Sequence, residues 1–239
     1  NPGGVYITGK GGSSDEYYWS SNGITIQADS GTVTLNTNGV GMSWYSIKVP
    51  IRFKNIAFVG NNTTNANNGM DFHDCPRIIF YDTCSWTMSA PVSSNWTVIN
   101  GMTFNRCGFI EIFMPISLTS TASSGYGGLF KFNACHYASV TNGTTGTTKS
   151  GTRFGQAAFT AYNGTVFNHT GKIDNFDNGI RLGVDHYSAE TGGRVILGGT
   201  YSNNNVAINA SNMSHVRNYS TTFTSNSSNI SLSSSSSQD

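Results

Sequence analysis

Short runs of β-type residues recur along the chain, among them Ile24-Thr25-Ile26, Val33-Thr34-Leu35, Ile56-Ala57-Phe58, Ile78-Ile79-Phe80, Met102-Thr103-Phe104 and Phe130-Lys131-Phe132. Most have apolar residues two positions apart, the spacing of a strand with one buried face. Most also close on Phe and are followed at once by Asn, Asp, Gly, Cys or Ser, residues that favour corners. Taking the last apolar residue of each run as a mark gives Leu35, Phe58, Phe80, Phe104, Phe132, Phe159, Phe176, Tyr201 and Phe223. The intervals are 23, 22, 24, 28, 27, 17, 25 and 22 residues, averaging about 23.5. A repeat of that length predicts a solenoid. The fold class expected is therefore all-β: a single-stranded parallel β-helix of about nine rungs, with the marked residues stacked inside.

The register also divides the chain. Residues 1–23 fit it poorly and are expected to cap the N-terminal end, residues 24–230 form the β-helix, and the Ser-rich stretch 231–239 reads as a flexible tail. The longer intervals place extra loop residues around 85–98, 112–127 and 138–153. Insertions in a solenoid gather on its loops, often on a binding face. Asn residues after the marks, such as Asn105, Asn133, Asn178, Asn203 to Asn205 and Asn226, suit stacked corners because Asn tolerates left-handed backbone angles.

Composition supports the β reading. Asn, Ser, Thr and Gly number 27, 31, 27 and 28, nearly half of the 239 residues, and all four are weak helix formers. Aromatics at 12% still allow a core. Only 10% of residues are charged and the net charge is +1, so no electrostatic footprint for nucleic acid exists. No apolar run reaches the ~18 residues of a membrane span, and no membrane insertion is expected.

The Phe-marked rungs, Asn corners and motifs such as Phe104-Asn105-Arg106-Cys107 and Phe132-Asn133-Ala134-Cys135 resemble right-handed β-helices of the pectate-lyase-like class. Low charge and richness in Gly, Ser, Thr and Asn make the chain most similar to the receptor-binding body of a bacteriophage tailspike or tail fibre. The resemblance covers roughly residues 24–230. It implies a homotrimer on a virion tail, assembled in the host cytoplasm, that binds and often cuts bacterial surface polysaccharide such as O-antigen or capsule. No cofactor is expected. The Asp-Asp, Gly-His-Gly and Arg-Ile-Lys signatures of polygalacturonases are absent, Ile180-Arg181-Leu182 lacking the basic third residue. The clustered Asp calcium ligands of pectate lyases are not evident either.

Four cysteines, Cys75, Cys84, Cys107 and Cys135, sit in apolar rung contexts, so buried free thiols are expected, with Cys107 and Cys135 stacked. No C-x-x-C spacing points to zinc, and no metal site is expected. Glycoside hydrolysis needs paired carboxyl groups. Strict register puts Asp174 on the inward face, where burial would raise its pKa and suit a general acid, with Asp177 or Glu111 as base. The bland alternative is that Asp174 points outward and Asp177 merely shapes a corner. Asp82 and Arg106 share a register position and are expected to pair outside. Trp86, Trp96, Tyr126, Tyr137 and Tyr162 are candidate platforms for pyranose rings, and Arg181 could clamp an anionic sugar or merely neutralise Asp177. Alternatively the aromatics pack under loops or against a second subunit. Three functions remain open: an endo-glycanase, a non-catalytic receptor-binding module and a structural spike segment.

Overall fold

The computed structural model describes residues 23–28, 30–36, 42–61, 69–90, 97–98, 101–120, 125–126, 128–146, 157–183, 191–233 and 235–239. Among them there is no helix, and every strand pairing is parallel. The strands stack into three ladders, a parallel β-solenoid.

Ladder I contains Ile24–Gln27, Ile51–Lys54, Arg77–Phe80, Phe109–Ile112, Tyr137–Val140 and Val166–His169. It then takes residues 194–197 of the long strand Arg194–Ser202, the start of His215–Thr224, and Ser237–Gln238. Ladder II contains Val33–Asn36, Ile56–Asn61, Ser85–Ala90, Ile116–Ser120, Thr144–Gly146 and Lys172–Asp174, and ends in the C-terminal parts of the same two long strands. Ladder III is an eight-stranded sheet: Met42–Tyr45, Met70–His73, Met102–Asn105, Gly128–Asn133, Ala157–Tyr162, Asn178–Leu182, Val206–Ala210 and Ser228–Leu232. The chain visits I, II and III in turn, and each circuit advances one strand.

Register corrects the repeat. Along ladder II the stacked inward positions are Leu35, Phe58, Trp86, Ile116, Thr144, Ile173, Tyr201 and Phe223. The steps between them are 23, 28, 30, 28, 29, 28 and 22 residues. The body is five turns of 28–30 residues with a shorter turn at either end, fewer rungs than the nine expected. The reason is that all three faces bury Phe. Phe80 belongs to ladder I, Phe104 and Phe132 to ladder III, and Phe58 and Phe223 to ladder II. A series of marks that changes face shortens the apparent period.

Inside, aromatic rings stack at the spacing of the rungs, ~4.8 Å. Phe72 lies 5.2 Å from Phe104 and Phe104 lies 5.3 Å from Phe132, each pair nearly parallel, and Phe53 stacks on Phe80 at 4.8 Å. Val33 departs from its expected inward position and is 48% exposed. It starts the terminal strand of ladder II, which has a neighbour on one side only.

Corners follow the side chains. Ser46, Asp74, Arg106, Ala134 and Asn163 all have φ between 51° and 54° where the chain leaves ladder III. Beside them runs an amide column, in which Asn163 Nδ2 donates to Asn133 Oδ1 at 2.8 Å and Asn133 Nδ2 donates to Asn105 Oδ1 at 2.9 Å. Asn204 is fully buried in another corner: its Oδ1 accepts from Phe176 N, and its Nδ2 donates to Ile173 O and Asn226 Oδ1. Satisfying a buried amide so completely removes the penalty of taking it from water. Arg106 pairs with Asp74, one rung back, through two bonds of 2.8 Å, not with Asp82 as expected. Matching left-handed corners bring those two side chains side by side, whereas Asp82 stands in a separate turn.

The insertions start later than expected. Ser85–Ala90 and Ile116–Ser120 are ladder strands, because Trp86, Met88, Ile116 and Leu118 alternate inward. Beyond them, Thr97–Val98 pairs with Gly125–Tyr126, so the first two insertions stack on each other. At the C-terminal end, Ser228–Leu232 adds to ladder III and runs two residues into the stretch 231–239 expected to be a tail, and Ser237–Gln238 within that stretch adds to ladder I.

All four cysteines are free and buried. Cys75, Cys107 and Cys135 form a column: Cys107 Sγ donates to Phe72 O at 3.5 Å and Cys135 Sγ to Phe104 O at 3.3 Å. The hydrogen-bonding contact with Cys135 and burial together push the Cys107 thiol up to about 12. The bond to Cys107 and burial push Cys75 up as well, and burial raises Cys84. Thiolate is the reactive form. An aromatic disulfide reagent should therefore label none of the four in the native protein and all four in denaturant. Labelling at the native unfolding rate or slower fits, and prompt native labelling would show the column to be open.

Candidate functional site

The outward face of ladder I presents an exposed aromatic ring among polar and charged neighbours. In-register pairing aligns Arg77, Phe109, Tyr137, Val166 and Arg194 in one row and Ile79, Glu111, Ser139, Asn168 and Ile196 in the next. The alternation that sends Ile110 and Ile112 into the core sends Phe109 and Glu111 outward. Phe109 is 47% exposed, an unusual position for a large apolar ring. It meets His136 edge-on at 5.2 Å and Tyr137 at 6.4 Å. Asn168 Nδ2 donates to the Tyr137 hydroxyl at 3.0 Å, fixing that ring from the next rung. Arg77 holds Glu111 through Nε at 2.8 Å and a second guanidinium nitrogen at 2.6 Å. An apolar ring edged by a phenol, an imidazole, an amide and a charged pair is thus held on a flat scaffold of parallel strands.

Two of the residues expected at a site, Glu111 and Tyr137, meet on this face. The others do not join them. Asp174 is not inward: Ile173 takes the core position, and Asp174 pairs in register with Thr145 and Ser202 on the outer side of ladder II. Partial burial raises its pKa, but hydrogen bonds from Ser202, Asn203 and Lys172 outweigh that and hold the carboxyl below its ordinary range. The raised pKa expected for a general acid is overturned, because the register of the short strand Lys172–Asp174 differs by one from that expected. Asp177 lies in the next corner, buried, with Asn205 Nδ2 donating to its Oδ1 at 2.5 Å. Asp174, Asp177 and Glu111 therefore occupy a strand of ladder II, the corner leading to ladder III and a strand of ladder I.

Trp86 is core, not platform. It is 4% exposed, stacks in ladder II between Phe58 and Ile116, and meets Phe130 edge-on at 5.2 Å. Tyr162 and Arg181 are also buried, at 6% and 5% exposure, on the outward side of ladder III, in the same sheet as Lys131 and Thr160. Trp96 lies outside the described residues, and so does the side chain of Tyr126. Phe109, His136 and Asn168 were not singled out from the sequence. The available signal was Phe109 two residues before Glu111 in Phe-Ile-Glu-Ile, which puts an aromatic ring and a carboxylate on one side of a strand.

Among the described residues, no group of three or more His, Cys, Asp or Glu is arranged to hold a metal ion. Comparison of the chain with protein-family models, with curated proteins and with solved structures finds no match. The fold thus stands on the parallel ladders themselves, and function rests on the chemistry of the surface.

Proposed function

We propose that the protein is a polysaccharide-recognition solenoid of the tailspike or tail-fibre kind, which lays a bacterial surface glycan along the outward face of ladder I. The observation that carries this reading is Phe109, exposed on a rigid sheet and bordered by His136 and Tyr137. Aromatic faces stack on pyranose rings, while Asn168 and the Arg77–Glu111 pair supply donors and acceptors for hydroxyls. A homotrimer on a virion tail, assembled in the host cytoplasm, is the setting that goes with this reading. Recognition without cleavage is favoured over an endo-glycanase. The candidate carboxylates stand on separate elements, and Asp174 is held as an anion, whereas a general acid must keep its proton.

The test is co-elution of purified O-antigens and capsular polysaccharides with the protein on a sizing column. An intact glycan should bind, and Phe109→Ala should weaken it by about tenfold or more while stability changes little. Unaltered binding by that variant would remove ladder I from the reading. Glycan chains shortened by incubation would replace recognition with cleavage.

A further inference from the structure

The described residues contain three Asn-Gly pairs, and one differs from the others. Gly164 N is committed to the inter-rung ladder, donating to Gly192 O at 2.9 Å, and Asn163 Oδ1 accepts from Thr191 N at 3.1 Å. Gly179 is buried within Asn178–Leu182, and Asn178 Oδ1 accepts from Asn209 Nδ2 at 3.1 Å. In the third pair, between Tyr137–Val140 and Thr144–Gly146, Gly143 N instead donates to Oδ1 of Asn142, its own neighbour, at 2.6 Å. Asn142 Nδ2 donates to Phe113 O at 2.8 Å, which locks the amide with its oxygen toward Gly143. Asn142 and Gly143 are both partly exposed, so water reaches them.

The geometry points to Asn142 as a site of spontaneous deamidation through a succinimide. The Gly143 peptide nitrogen, on losing its proton to hydroxide, bonds to Asn142 Cγ. The Cγ–Nδ2 bond breaks, and Nδ2 leaves as ammonia after taking a proton from water. Water then opens the ring at either carbonyl, giving aspartate or isoaspartate. Holding a nitrogen beside the carbonyl group it attacks is what lowers the barrier of such intramolecular steps. Glycine at 143 puts no side chain in the way, and its amide gives up no inter-rung bond in the reaction. The product loses the bond to Phe113 O and puts a carboxylate at that corner. Isoaspartate also lengthens the backbone where the next rung is tightly seated: an added Cβ on Gly171 would fall 2.1 Å from Asn142 O. The converted protein therefore melts at a lower temperature than the fresh one.

The full chain would be aged in mildly alkaline buffer, digested with trypsin and analysed for peptide mass and isoaspartate. Cleavage after Lys131 and Lys149 isolates Asn142 on the peptide 132–149. That peptide should gain about 1 Da, with the conversion at Asn142, about tenfold faster than at Asn163 or Asn178. Gly143→Ala should slow it about tenfold without disturbing the fold, because a Cβ at Gly143 meets nothing within 4 Å. Equal rates at Asn142 and Asn163, undiminished conversion in the folded Ala variant, or conversion only after unfolding in urea would each overturn the assignment.

Discussion

Replacing Phe104 by alanine should cost about 3–5 kcal/mol and lower the melting temperature by roughly 10 °C. Phe104 has no exposed surface and stands midway in the interior stack, 5.2 Å from Phe72 below and 5.3 Å from Phe132 above, with the Phe80 edge at 6.4 Å. Truncation removes burial, two stacked contacts and one edge contact together, and leaves a cavity. Relaxation cannot close it cheaply, because the rungs on both sides are held at strand spacing by hydrogen bonds to each other. Equilibrium unfolding in urea would give the loss directly. A change below ~1 kcal/mol would mean that the rungs shift to refill the space, and that the stack is not what sets their spacing. Phe109→Ala is the internal comparison, the same chemical truncation on an exposed ring of ladder I.

That contrast shows what the sequence makes legible and what it hides. The strands Met102-Thr103-Phe104 and Phe130-Lys131-Phe132 were readable because the same pattern recurs in adjacent rungs, and stacking like on like is what the fold rewards. The number of turns was not. Phe serves all three inner faces, so a list of Phe marks does not say which face each belongs to, and the strand pairings, such as Phe58 with Trp86 and Trp86 with Ile116, separate ladder II from the others. Trp86 was misread for the same reason. Its neighbours Ser85 and Thr87 look like loop residues until Met88 is seen to share its inward side.

The site was half legible. Glu111 and Tyr137 were identified, but their meeting on one face depends on the in-register pairing of Phe109–Ile112 with Tyr137–Val140 across 28 residues. Asp174 illustrates the opposite case. A one-residue change of register exchanges core for surface. In Lys172-Ile173-Asp174 it turned an expected buried acid into a surface carboxylate held ionised by Ser202, Asn203 and Lys172. No composition argument could have found that, because two of the three partners, Ser202 and Asn203, lie on the following rung.

Acid should destabilise the protein from pH 6.5 downward, with His169 as the main cause. It is completely buried on the inner side of ladder I, between the ring systems of Phe159, Phe167 and Tyr201. Its Nδ1 lies 2.7 Å from the Tyr201 hydroxyl, while Nε2 has no hydrogen-bond partner. Burial opposes the charged imidazolium and lowers the pKa from its ordinary 6.5 to about 3. The unfolded chain then takes up a proton below pH 6.5 that the folded chain refuses until about pH 3. Stability is fully present above 6.5 and falls by roughly 1.4 kcal/mol per pH unit below it, roughly 5 kcal/mol over the whole window. Asp174 and Asp74, whose folded pKa values lie below 3.8, add their losses only at the acid end, so the upper part of the window isolates the histidine. The double variant His169→Phe, Tyr201→Phe removes both members of the buried pair and replaces them with rings of similar shape. Such paired replacements are close to neutral at pH 7. Urea unfolding from pH 7 to pH 4 should show a steep decline in the wild type and a shallow one in the double variant. Parallel declines would assign the acid sensitivity to other groups and would mean that the core admits the imidazolium.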